Sequence, residues 1–162
     1  MANPLRNETE LYKRIKNENI TIAPVIWNFI YNHIGDDLTA INLLCQYYLD
    51  NNQDIPPLEA ERVVIYASNA GGIINKLTLK DRQNSHFPEF ENVIPLHPVI
   101  REMLTHYIGN DTQVINFMVG AYTEAFDEPQ AVPKEVIPKI LEHSRLLKEF
   151  MERLREATYS PR

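Results

Sequence analysis

The chain has 162 residues, 44% of them hydrophobic, with a formal net charge of -6 and a pI near 5.4. That length is enough to fill one core and reads as a single domain over 1–162. The acidic balance argues against nucleic acid, which calls for Lys and Arg gathered on one face. No stretch approaches the roughly 20 apolar residues that span a bilayer, so a membrane is not an expected partner either.

In chain order, a short amphipathic helix is expected around Glu8–Lys16, within a polar N-terminal stretch that has no apolar signal-peptide core. Ile26, Ile30, Ile34, Leu38, Ile41, Cys45 and Tyr48 then recur at three- and four-residue steps, which predicts one long helix. Cys45, the single cysteine, lies in the apolar run "INLLCQYYL". It is read as a small buried hydrophobe in a reducing compartment, hence cytoplasmic. The turn cluster "DNNQDIPP" precedes a second helix from about Leu58 to Leu79, with Val64, Ala67, Gly71, Ile74 and Leu77 on one side. Residues 80–97 are rich in proline and polar side chains and read as a linker. A third helix is expected from Pro98 to Phe126 with Ile100, Leu104, Ile108, Ile115, Val119 and Tyr122 inward. A fourth is expected from Lys134 to Ala157 with Val136, Ile140, Leu147, Phe150 or Met151, and Leu154 inward.

The chain repeats itself. A shift of 74 superposes Pro24, Val25, Ile26, Ile34, Gly35, Asp37, Ile41, Asn42 and Tyr48 on Pro98, Val99, Ile100, Ile108, Gly109, Asp111, Ile115, Asn116 and Tyr122, nine identities over residues 24–48 without a gap. A three-residue insertion moves the shift to 77, after which Pro56 meets Pro133, Val63 and Val64 meet Ile140 and Leu141, and Leu77 meets Leu154. One hairpin of two helices cannot bury both apolar faces. Two copies, 20–79 and 98–157, are therefore expected to form an all-α, antiparallel four-helix bundle with a pseudo-twofold axis.

Both copies carry a glycine inside a helix, Gly35 in "NHIGDDLTAI" and Gly109 in "HYIGNDTQVI". Such a glycine costs about 1 kcal/mol relative to alanine, so either another backbone approaches closely there or the helix bends. On a wheel at about 100° per residue, His106 lies about 200° from Leu104 and Ile108 and so faces solvent. Glu102, Asn110 and Gln113 share that outward face, and Asn28, Asn32, Asp36 and Thr39 hold it in the first copy.

Histidine, a hydrophobe at +2, asparagine at +4 and Gln-Val-Ile at +7 to +9 resemble the phosphoacceptor motif of sensor histidine kinases, in which helical hairpins dimerise into a four-helix bundle with a surface histidine. "HYIGNDTQVI" is similar to the subfamily reading H-R-[IV]-K-N-N-L-Q-V-I. "NHIGDDLTAI" resembles the H-E-L-R-T-P-L-T-A-I form, with Asn32 in the place of the histidine. The resemblance implies two halves of such a dimer in one chain. His106 would be the phosphorylated residue, a neutral imidazole offering a ring nitrogen to a phosphoryl group. Asn110 would orient an attacking water or the incoming receiver aspartate. Glu102, Tyr107, Gln113, Asn32 and Asp36 would contribute to binding a kinase or receiver domain, with the protein a monomer or homodimer.

Tyr107 stands where many such kinases have an acidic residue, and the five glycines include no nucleotide-binding lid, so the chain is not expected to be a kinase by itself. A non-catalytic docking bundle is the alternative. A further one starts from "REMLTH": Arg101 and His106 resemble the Arg-x4-6-His signature of small all-helical ribonucleases, although a regular helix sets the two side chains about 140° apart. No cofactor is expected. His33, His86, His97, His106 and His143 are scattered without a Glu-x-x-His pair, so no metal site is expected. No nucleophile elbow occurs.

Overall fold

In a computed structural model, residues 4–78, 96–124 and 127–158 are described. Helix α1 runs over Pro4–Asn17, α2 over Pro24–Asp50 and α3 over Pro57–Thr78. Helix α4 covers 98–123, and α5, entered by a short 3-10 turn at Lys134–Val136, covers Ile137–Thr158. Prolines open α2, α3 and α4, where the missing N–H costs nothing. At α4 the His97 imidazole also accepts a hydrogen bond from Val99 N–H at 3.1 Å, doing the work of an N-cap.

The four long helices form an all-α antiparallel bundle in which α2 packs on α3 and α5, and α4 packs on the same two, so α2 and α4 sit diagonally opposite. Nearly every residue of the expected stripes is buried: Ile26, Ile30, Ile34, Leu38, Ile41 and Cys45 on α2, Ile100, Leu104, Ile108, Ile115 and Val119 on α4, and Ile140, Leu147, Phe150, Met151 and Leu154 on α5. Tyr48, Tyr122 and Val136 are only half-buried.

Helix α3 differs from expectation in the identity of its inner face. Ala60, Val63, Ala67 and Ala70 are fully buried, whereas Val64 and Gly71 are half-buried, and the side chains of Ile74 and Leu77 lie outside the described residues. Small residues let α3 approach α4 closely. A Cβ built on Gly71 would stand 3.2 Å from the Thr112 hydroxyl.

The pseudo-twofold can be located at the bundle end that carries the two hairpin turns. Ile55 and Val132, equivalent under the shift of 77, pair with each other in an isolated antiparallel bridge, each N–H donating to the other's carbonyl at 2.9 Å. A residue that pairs with its own equivalent lies on the axis. One bond departs from the symmetry: Lys134 N–H donates to the Asp54 carboxylate at 2.9 Å, and the equivalent of Lys134, Pro57, has no N–H.

Helix α1 is longer than expected and breaks the symmetry by packing on α4 and α5. Ile15 is its buried anchor, and Glu8, only 8% exposed, is held by Arg153 of α5 at 2.7 Å. The third helix ends at Thr123 rather than at Phe126, which lies outside the described residues, as do residues 80–95 of the expected linker. His86 lies there too.

Candidate functional site

The interruption in "HYIGNDTQVI" is a π-helical turn, Leu104–Ile108, inserted between the α-helical parts Pro98–Met103 and Gly109–Thr123. The Gly109 N–H reaches back to the Leu104 carbonyl, five residues away. The stripe permits it. Ile100, Leu104, Ile108 and Thr112 are each four residues apart and all buried, a spacing that drifts around a regular 3.6-residue helix and is kept inward by one wider turn. Thr112 completes the turn from inside, its hydroxyl lying 2.9 Å from the Ile108 carbonyl and 3.0 Å from that of Gly109. Side-chain bonds of this kind bend helices. Helix α2 has the same spacing at Ile26, Ile30, Ile34 and Leu38 yet stays α-helical throughout.

The glycine expectation is corrected in part. A Cβ at Gly35 or at Gly109 would meet nothing within 4 Å, so neither marks a close approach of another backbone. Gly109 ends the π-turn, which is the local irregularity that its position signalled. Gly35 sits in regular helix, and nothing in the structure requires it. Gly71 does meet a neighbour, the Thr112 side chain rather than a backbone.

His106 is in the π-turn and exposed, as are Glu102, Asn110 and Gln113 on the same helix. Tyr107 is half-buried, edge-on to the His106 ring with centroids 5.0 Å apart, and packed on Phe150 at 5.0 Å. Burial, then the nearby charges of Glu8 and Glu102, push its phenol above the ordinary value, with Arg153 opposing. Tyr107 therefore stays a neutral hydroxyl at neutral pH and cannot act as the carboxylate it replaces in the kinase motif.

Asn32 and Asp36 are not brought to His106. They lie on α2, across the bundle, in a groove of about 220 Å3 against α5 with Gly35, Thr39, Asn42 and Lys148. Arg101 and His106 flank the start of the π-turn, but no hydrogen bond or ion pair joins them among the described residues. A half-buried pair that the sequence did not single out, His143 of α5 and Asp111 of α4, meets at 2.8 Å. Its signal was only that Asp111 recurs as Asp37 in the repeat.

Cys45 is fully buried, and burial pushes its thiol up to about 12, which removes it as a nucleophile. Among the described residues no group of three or more His, Cys, Asp or Glu could hold a metal ion. No described helix is long and apolar enough to cross a membrane. Compared with models of known families, with curated proteins and with solved structures, the chain matches none.

Proposed function

We propose that the chain is a two-component-type bundle that receives or passes a phosphoryl group on His106 while docked to a kinase or a receiver domain. The observation that carries this reading is an exposed histidine in a π-turn, on the outward face of a bundle built from two hairpins about a pseudo-twofold axis. π-turns inside α-helices occur frequently at functional sites. In the step, the unprotonated ring nitrogen attacks phosphorus and forms a P–N bond. The P–O bond to the donor breaks, and its electron pair leaves with the donor's oxygen. Transfer to a receiver runs the same exchange in reverse onto an aspartate oxygen. In this reading Asn110, one turn along and exposed, orients that aspartate or a water. The reading puts the protein in the cytoplasm.

The docking bundle without phosphotransfer draws on a different observation. Tyr107 is neutral and packed against Phe150 where the kinase motif has an acid, and Asn32 replaces the histidine in the other copy. One experiment separates the two. The protein is incubated with an active kinase or a phosphorylated receiver and assayed for acid-labile, base-stable phosphate. Phosphotransfer predicts label on the wild type and none on His106→Gln. No label on the wild type, or equal label on both, leaves the docking reading.

A further inference from the structure

The outermost side chain of α4 is Phe117, 81% exposed and the most exposed large hydrophobe among the described residues. On a wheel at about 100° per residue, Asn110, Gln113, Val114, Gly120 and Ala121 lie within about 60° of it, with Glu124 at the end of the face. Of these only Glu124 is charged. An exposed aromatic ring in an uncharged setting is the composition of an interface core rather than of a solvated face.

The repeat supplies a control. The same face of α2, 74 residues earlier, has Asp36 for Asn110, Leu43 for Phe117, Gln46 for Gly120 and Tyr47 for Ala121. There Gln46 Nε2 donates to the Asp50 carboxylate at 2.7 Å, and Tyr47 stands edge-on to Tyr48 with centroids 5.1 Å apart, so that face carries bulk where α4 has none. On α4 the central knob is larger, the two residues one turn beyond it are smaller, and one acid is gone. The folded monomer does not require the small residues. A Cβ at Gly120 would meet only the Glu124 side chain, at 3.6 Å, an ordinary contact, although glycine is costly inside a helix.

We infer that this face of α4 binds the same face of a second copy of the chain, in an antiparallel contact in which Phe117 of each protomer seats over Gly120 and Ala121 of the partner subunit. A knob and a notch one turn apart on one helix are self-complementary under a twofold axis, as an isologous contact requires. The register that sets Phe117 opposite Gly120 also sets Gln113 opposite Glu124, so the only charge of the face meets an amide donor. Two copies each carry a net charge of -6, so they associate best through a face that adds no like-charge contact. Phe117 lies roughly 16 Å along α4 from His106, and the inference does not depend on phosphotransfer.

One helix face is small beside a standard interface, so the expected dimer is weak, with a Kd of about 10–1000 μM. The test follows the full chain by amide NMR from about 20 μM to about 1 mM. Tumbling should slow toward that of a dimer as concentration rises, with shifts in residues 110–124 and none in 36–50. Phe117→Glu should abolish the change, and Gly120→Gln, which copies the residue of α2, should weaken association about tenfold or more. Leu43→Glu, the same change on α2, should leave it intact. All three substitutions are on the helix surface, and circular dichroism confirms that the variants fold. Monomeric tumbling up to the highest concentration overturns the inference, and would mean that another segment of the chain or a different partner covers this face. So does association that survives Phe117→Glu, or growth beyond a dimer that Leu43→Glu abolishes, which would mean a head-to-tail contact of α4 on α2.

Discussion

The two hairpins share a backbone plan and a buried stripe, but their surfaces have gone different ways. On the second, α4 presents an exposed histidine in a π-turn, and Tyr107 of α4 packs on Phe150 of α5. On the first, α2 presents Asn32 in regular helix, with His33 at the position of Tyr107. What the two copies share inside is a set of isoleucines. Ile26, Ile34 and Ile41 match Ile100, Ile108 and Ile115 and are all buried, whereas the outward positions 28, 32, 36 and 39 differ from 102, 106, 110 and 113 at every one.

The largest effect should come from testing that shared interior. Ile34→Ala and Ile108→Ala remove equivalent, fully buried side chains, and each should cost about 2–5 kcal/mol in denaturant unfolding. Similar costs would mean that the π-turn leaves packing at Ile108 as tight as in α2. A clearly smaller cost at Ile108 would show that the turn lets the site collapse.

Next is the element that has no twin. Arg153→Ala leaves Glu8, nearly buried, without its partner, and it should destabilise by about 1–3 kcal/mol. Hydrogen exchange should rise first in α1. If exchange rises equally in α2 and α3, α1 is integral to the bundle rather than an addition to the second hairpin.

Smaller still are the glycines. Gly35→Ala has open space and regular helix around it, so it should stabilise by up to about 1 kcal/mol. Gly109→Ala has the same space but ends the π-turn. An equal gain would show that the turn does not need glycine; a loss would show that it does.

The smallest effect concerns Asp37. Its carboxyl is raised in the folded state, so the native protein holds that proton more tightly than the unfolded chain. The contribution to stability is therefore greatest at low pH and is lost as pH rises through the carboxylate range. Asp37→Asn should slightly raise the melting temperature at pH 7 and flatten its dependence on pH between about 3 and 6. Asp111→Asn, which breaks the pair with His143, should lower it.

Much of this fold was legible because isoleucine at steps of three and four is a strong helical signal, and because "PVI" and "IGxD" recur in one register. The inner face of α3 was harder to read, since Ala60, Ala67 and Ala70 are weak hydrophobes whose burial depends on what packs against them. The π-turn was half-legible. Steps of four at Ile100, Leu104, Ile108 and Thr112 permit it, but the same steps in α2 do not produce it. The exposure of His106 followed from the pattern. Glu8 and Arg153 are 145 residues apart, and nothing local announces that they meet.

The bridge between Ile55 and Val132 has a consequence for stoichiometry. In a dimer of identical hairpins, any side chain gained or lost on one half is gained or lost on the other, so a histidine face on one side entails a second on the far side. Joining the halves in one polypeptide removes that constraint. Every molecule then carries His106 on one hairpin and Asn32 on the other, an asymmetry that subunit exchange cannot scramble.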